Sequence, residues 1–225
     1  MEEFSYTIDR SKRRHLYLCI REGKLLVKAP NRMPNSVIRR IVEEKSDWIR
    51  GKLQEMPVVE PKHYCAGELF PILGKTYPLV FRIRPQGRAV KAELGESGLL
   101  VRVPAHLQES GLTGQVQAAV ENFYRDYAKT ELLRMTEQIS SITGLIPEKV
   151  TIRKMSASWG RCSASGRISL NWKLICCCPA AVEYVILHEL CHLKIMDHSN
   201  RFWRMVALYM PDYQTRKKLL VMQDF

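Results

Sequence analysis

His188-Glu189-Leu190-Cys191-His192-Leu193-Lys194-Ile195-Met196-Asp197-His198 is the stretch on which the reading of this chain turns. On a helix, residues four apart lie on one face, one turn apart. The imidazoles of His188 and His192 can therefore reach one metal ion. Glu189 sits about 100° around the helix from His188, close enough to act on a metal-bound water without ligating the metal. Bound zinc lowers the pKa of such a water to about 7. A carboxylate beside it can take the proton and later deliver it to the leaving group.

A catalytic zinc site needs a third protein ligand and an open fourth position. Downstream of Glu189 the chain has no glutamate, and its remaining acids there are Asp197, Asp212 and Asp224. His198 is the only later histidine, six residues past His192. That spacing is metzincin-like, with Ile195 where that pattern has glycine, so the helix has to end differently before the chain turns back. Asp197 or Ser199 is the expected cap. The competing reading of His198 is a capping or surface role beside Asp197.

Working outward, Pro179 is expected to start the helix that carries the motif and to run it to about Lys194, with Val182, Val185, Ile186, Leu190 and Leu193 as its apolar side. Arg167 to Leu174 alternates, Ile168, Leu170, Trp172 and Leu174 pointing one way, and reads as a strand that could pair with an extended peptide. Val150 to Ile152 begins another strand, and a last helix runs from near Ser199 to Met210. Thr113 to Ser141 reads as one long helix stopped by Gly144. Before it lie strands at Leu79–Arg84, Val90–Leu94 and Leu99–Val103, a strand from His15 to Ile20, a turn at Glu22-Gly23, and a returning strand at Leu25–Val27. A helical stripe follows Pro34, from Val37 to Leu53, ended by Pro57 and Pro61. Leu25-Leu26-Val27-Lys28-Ala29-Pro30 echoes Leu99-Leu100-Val101-Arg102-Val103-Pro104, which suggests a repeated strand–Pro–helix unit, although six residues can also match by chance. The expected architecture is α+β: a β-rich N-terminal region with one helix over 1–105, and a catalytic region over 106–225 that includes the long linking helix.

The net charge is +12, which raises a polyanionic partner such as nucleic acid. The excess is diffuse, however. Residues 181–225 hold 6 Lys/Arg against 5 Asp/Glu, so the candidate site lies in a nearly neutral segment. The densest clusters, Lys12-Arg13-Arg14 and Arg216-Lys217-Lys218, are short, and a solvated basic surface accounts for them. Seven cysteines include the run Cys176-Cys177-Cys178 and no Cys-x-x-Cys. They read as small buried residues in a reducing compartment. The N-terminus has neither the basic nor the apolar region of a secretory signal, and no apolar run is long enough for a membrane helix. The expectation is a cytoplasmic protein with no membrane partner.

Arg201 could pair with an anionic substrate group, or more simply with a nearby acid. Arg161, Arg167 and Lys173 are further cations near the site in sequence, and Asn171 lies on the strand expected to bind a peptide. Candidate substrate contacts are therefore Arg201, Asn171 and Arg161. Trp159, Trp172 and Trp203 read as core or pocket wall.

The motifs together resemble the YgjP-like metallopeptidase family, which is related to SprT-like zinc proteins. The residues that carry the resemblance are Ser158-Trp159-Gly160-Arg161-Cys162-Ser163, Gly166 to Trp172, His188 to Leu193, Asp197-His198-Ser199 with Phe202-Trp203, and Met210-Pro211-Asp212-Tyr213. Lys12-Arg13-Arg14, Leu26 to Pro30 and Trp48-Ile49 extend it into the N-terminal half. Arg161 stands where the family often has serine, and Asp197 where asparagine often precedes the third histidine. The resemblance implies a zincin-like C-terminal part with a small sheet and an active-site helix, three histidine ligands, and one Zn2+ per chain, with other divalent transition metals able to replace it. It implies a hydrolase of metallopeptidase type acting on peptides. The alternative it leaves open is a nucleoside triphosphate (UTP) pyrophosphatase using the same site. A zinc-stabilised nucleic-acid-binding module is a third reading, in which Glu189 would have no purpose.

Overall fold

The computed structural model describes residues 5–21, 24–55, 62–107, 111–156 and 158–220. The expected turn at Glu22-Gly23 and the helix stops at Pro57 and Pro61 lie outside them. Two compact units divide the chain, residues 1–61 and 62–225.

In the first unit, β1 (Tyr6–Ser11), β2 (Tyr17–Arg21) and β3 (Lys24–Pro30) form a sheet in the order β1-β3-β2. The alternation of β3 turns Leu25, Val27 and Ala29 inward, and they pack with Ile38, Val42 and Ile49. The helical stripe after Pro34 is not one helix. It forms α1 (Asn35–Glu44) and α2 (Ser46–Glu55), broken at Lys45. There the backbone leaves helical geometry (φ −103°, ψ 11°), and the Lys45 carbonyl starts the next helix by accepting from the Ile49 N–H at 2.9 Å. Asp47 then sits in the first turn of α2, where the helix dipole favours an acid.

The second unit begins with β4 (Leu69–Ile72), β5 (Lys75–Arg84), β6 (Lys91–Gly95) and β7 (Gly98–Pro104), in the order β4-β5-β7-β6. β4 has no counterpart in the sequence reading, because Pro71 interrupts its four residues. The six-residue echo extends to topology. β1 runs parallel to β3 with Tyr6 opposite Leu25, and β5 runs parallel to β7 with Leu79 opposite Leu99. β2 and β6 pair antiparallel to the same strands, with Ile20 opposite Leu25 and Leu94 opposite Leu99. Each unit thus contains one β-β-β-α repeat in the same register. The β-rich front divided from the rest at 105/106 in the sequence reading is shared between the two units.

α3 (Leu112–Thr143) is the long helix, ending where Gly144 takes φ 70° and donates its N–H to the Ser140 carbonyl at 2.9 Å. Its buried Tyr124 donates to the Pro71 carbonyl at 2.8 Å, tying helix to sheet. β8 (Lys149–Arg153), β9 (Gly160–Cys162) and β10 (Arg167–Asn171) form a third sheet, in the order β8-β10-β9. Three helices follow: α4 (Pro179–Cys191), α5 (Asn200–Tyr209) and α6 (Tyr213–Lys218).

Two expectations about the strand before α4 are corrected. It ends at Asn171, and Trp172–Cys176 form a 3-10 helix. The Asn171 side chain accepts from the Lys173 N–H, which caps that helix and breaks the alternation. Moreover, β10 is the central strand, paired with β8 on one side and β9 on the other. It has no free edge for a peptide; among the described residues the edge facing α4 belongs to β9.

Candidate metal centre

α4 is buried on nearly every side, with Ala181, Val182, Val185, Ile186, Leu187, Leu190 and Cys191 all in the core. Pro179 occupies its first turn, where a missing N–H costs nothing. Such packing fixes the orientation of the polar residues that α4 carries. His192 closes the helix, and the chain turns through Lys194 and Ile195, whose N–H groups both donate to the Cys191 carbonyl. The Asp197 carboxylate then accepts from the Ser199 N–H at 3.0 Å, which supplies the turn that the missing glycine would have made. Hydrogen bonding from the Ser199 side chain, and then from its backbone N–H, holds the Asp197 carboxyl below its usual range.

The turn brings His198 back over α4. Nε2 of His188 lies 3.2 Å from Nε2 of His192 and 3.0 Å from Nε2 of His198, and the three ligand atoms fall within 4.8 Å of one another. Zinc–nitrogen bonds of about 2.0–2.1 Å in a tetrahedron place the nitrogens about 3.3 Å apart, so the donor set and its spacing fit a zinc ion. The outer nitrogen of His192, Nδ1, lies 2.9 Å from the Ile195 carbonyl. A carbonyl only accepts, so Nδ1 carries the proton and Nε2 presents its lone pair. His188 has no such outer partner among the described residues; ring packing holds it instead. Phe202, fully buried on α5, stacks on His192 at 4.5 Å and meets His188 and His198 edge-on at 4.9 and 5.0 Å. Burial and the neighbouring imidazoles hold His188 down to about 3, and burial also lowers His192. The neutral, ligating form of both rings is thereby favoured.

Glu189 is 6% exposed and faces β9. Burial pushes its carboxyl up to about 7, and a hydrogen bond from the Cys162 backbone N–H pulls the other way. Room for it exists because residue 160 is glycine: a Cβ there would lie 2.6 Å from Cγ and Oε1 of Glu189.

These groups line a cleft of about 450 Å3, walled by Trp159, Arg161, Cys162, Tyr184, Met196 and Lys217 among others. Of the expected substrate contacts, Arg161 is on the cleft wall. Asn171 and Arg201 are not part of its lining. Asn171 is buried, its amide donating to the carbonyls of Met155 (2.9 Å) and Ser158 (3.4 Å), so it anchors the loop leading to β9. Arg201 is exposed and helps hold Asp197 ionised. Trp172 is core, whereas Trp159 forms wall and Trp203 stacks on Tyr213. In the sequence Gly160 and Phe202 stand out only as members of the quoted motifs, and Lys217 only as part of a basic cluster. Lys217 becomes visible only when α6 folds against α4.

A family model described as YgjP-like, metallopeptidase domain, matches residues 14–223. The chain belongs to that family and is a metal-dependent hydrolase by that membership. Among solved structures, the crystal structure of the metallopeptidase zymogen of Pyrococcus abyssi abylysin is 28% identical, covering 39% of this chain and 87% of that one with a TM-score of 0.35. No curated protein matches. No helix among the described residues is long and apolar enough to cross a membrane.

Proposed function

From membership in a metallopeptidase family, we propose that this chain is a zinc-dependent peptidase in which His188, His192 and His198 hold one zinc ion and Glu189 is the general base. The observation that carries the reading is the convergence of three imidazole Nε2 atoms on one point, next to a buried carboxylate. Zinc, when bound, supplies Lewis acidity and an acidified water. Three imidazoles also suit nickel, cobalt and iron.

The chain's own residues do the rest. Glu189 receives the proton of the attacking water and returns it to the departing amine. Its burial between α4 and β9 keeps bulk water from competing for that proton. The outer edge of β9 suits an extended peptide, which would pair with the backbone groups there other than the Cys162 N–H, already given to Glu189, and bring its scissile carbonyl over the three imidazoles. Arg161, on β9 and on the cleft wall, is a substrate contact in this reading.

The test is cleavage of a mixed peptide library by protein reconstituted with zinc, by chelated protein, and by Glu189→Gln. Zinc-dependent cleavage lost in the variant is the expected result. The nucleotide alternative draws on the cationic wall formed by Arg161 and Lys217. Release of UMP and pyrophosphate from UTP by the same preparations, with no peptide cleaved, would replace the peptidase reading.

A further inference from the structure

The zinc cleft does not end at the histidines. Lys217, on α6, lines it and also lines an adjoining hollow of about 520 Å3 formed with Trp203, Tyr213, Gln214 and Lys218. One wall of the hollow is aromatic: the rings of Trp203 and Tyr213 stack with centroids 5.4 Å apart and planes 17° apart. The Trp203 ring in turn lies 5.8 Å from both His188 and His198. A substrate residue one or two positions from the scissile bond therefore reaches this shelf.

Among the described residues, the charges on the shelf have no acidic partner. Arg216, the neighbour of Lys217, is ion-paired to both Glu183 on α4 and Asp212, so it occupies the acids of this region. Lys217 makes no ion pair among the described residues. Its ammonium instead sits over the Trp203 ring, 5.4 Å from the centroid, an arrangement that holds the side chain in place while leaving its N–H donors free. Lys218 adds a second positive charge. Among the described residues, the only acid lining either hollow is Glu189, which the peptidase reading uses as the base.

We propose that Lys217 and the Trp203–Tyr213 shelf form a specificity subsite that takes the side-chain carboxylate of an acidic residue in the peptide substrate. This rests on the peptidase reading above and specifies its substrate class. The aromatic wall packs against the methylenes of a glutamate, and the Lys217 ammonium beside it receives the carboxylate. A lysine ammonium is a compact point charge suited to a single anionic group. The net charge of +12, diffuse over the chain, attracts acidic segments from a distance.

The test separates binding from turnover. Zinc-loaded Glu189→Gln protein is titrated with fluorescently labelled decapeptides that differ only in carrying Glu, Gln or Lys at one scanned position. At one position the Glu peptide should bind about tenfold more tightly than the Gln peptide, the size of one charge-assisted hydrogen bond. Adding Lys217→Ala should erase that ratio without weakening the Gln peptide, Lys217→Arg should retain it, and Lys217→Glu should favour the Lys peptide. Lys217 is exposed, so these variants are expected to fold, and melting curves check it. Equal binding of Glu and Gln peptides at every position would overturn the proposal, as would a preference that survives Lys217→Ala. Displacement of peptide by UTP that depends on Lys217, with no Glu preference, would also overturn it, because the anion would then be phosphate. The same peptides are offered to wild-type zinc enzyme. Lys217-dependent selectivity without cleavage would leave the anion site standing and sink the peptidase reading alone.

Discussion

Gly160 and Glu189 occupy each other's space: a Cβ on residue 160 would lie 2.6 Å from Cγ and Oε1 of Glu189 and 2.8 Å from its Cδ. The backbone of Gly160 is not in the left-handed region, so glycine is required here for close approach and not for conformation.

Gly160→Ala is therefore expected to displace the carboxylate rather than unfold the protein, since the far end of a side chain gives way more easily than backbone. Turnover should fall on the order of 10²–10⁴-fold, as for removal of a general base. Metal content and the melting midpoint should stay close to wild type. A Gly160→Ala enzyme with full activity would show that Glu189 need not lie against β9.

Glu189→Gln should cost a similar factor in turnover and keep the metal. Its effect on the metal-free protein follows from linkage. Burial raises the Glu189 carboxyl to about 7, against an ordinary value of about 4.3 for the unfolded chain. The folded state then binds more protons than the unfolded state between those values, and stability falls as pH rises through them. The metal-free variant, which has no charge to bury, should gain on wild type from about pH 4.3 to 7 and hold that advantage above. Chemical denaturation of both proteins at pH 4 and pH 8 measures it; an unchanged difference would mean Glu189 is not desolvated.

The grouping of the three imidazoles was legible because helical spacing is rigid: His188 and His192 must share a face once α4 forms, and His198 is the only later histidine. Long elements were legible for the same reason, as with α3, read as Thr113 to Ser141 and observed as Leu112–Thr143. What escaped depends on tertiary pairing. β9 is three residues, Gly160–Cys162, too short to show a period, yet it sets the edge beside Glu189. Asn171 reads as one more position in an alternating strand, because nothing local shows that its side chain caps the next helix. Lys45 likewise gives no local sign of the break between α1 and α2. The repeat of β-β-β-α units showed as six residues only, since register is preserved by pairing geometry while most side chains differ.

His188→Ala with His192→Ala should leave protein purified without added metal with less than one-tenth of the wild-type content by elemental analysis. Ligands must be deprotonated to bind. His188 is held down to about 3 and His192 is also lowered, so protons compete for these two rings at a lower pH than for a free imidazole, about 6.5. Wild type should accordingly retain metal on dialysis at pH 6. Full metal content in the double variant would sink the site.

Phe202→Ala removes the ring that packs against all three imidazoles and empties a fully buried position. Truncation of a buried phenylalanine costs about 3–5 kcal/mol, enough to unfold a marginal domain, so Phe202→Leu is the more informative change. It keeps much of the volume and loses the stacked face. The expected outcome is a folded protein whose metal dissociates faster in a chelator-exchange experiment, with the rate for His198→Ala as reference. An unchanged rate would show that the turn through Asp197 alone holds the histidines.

Asn171 separates a structural from a substrate-binding role. Its amide is buried and donates to the Met155 and Ser158 carbonyls, its oxygen accepts from the Lys173 N–H, and its own N–H donates to the Trp159 carbonyl at 2.8 Å. Asn171→Ala strands buried polar groups, at a cost of about 1–3 kcal/mol. Asn171→Pro additionally removes the N–H that joins the end of β10 to Trp159, just before β9, and should destabilise further. In both variants the damage should appear first in the melting midpoint. In the fraction that remains folded, KM should stay near wild type for Asn171→Ala, since the side chain does not line the cleft. Melting curves and steady-state kinetics on one peptide decide it: a large rise in KM with an unchanged midpoint would restore Asn171 as a substrate contact.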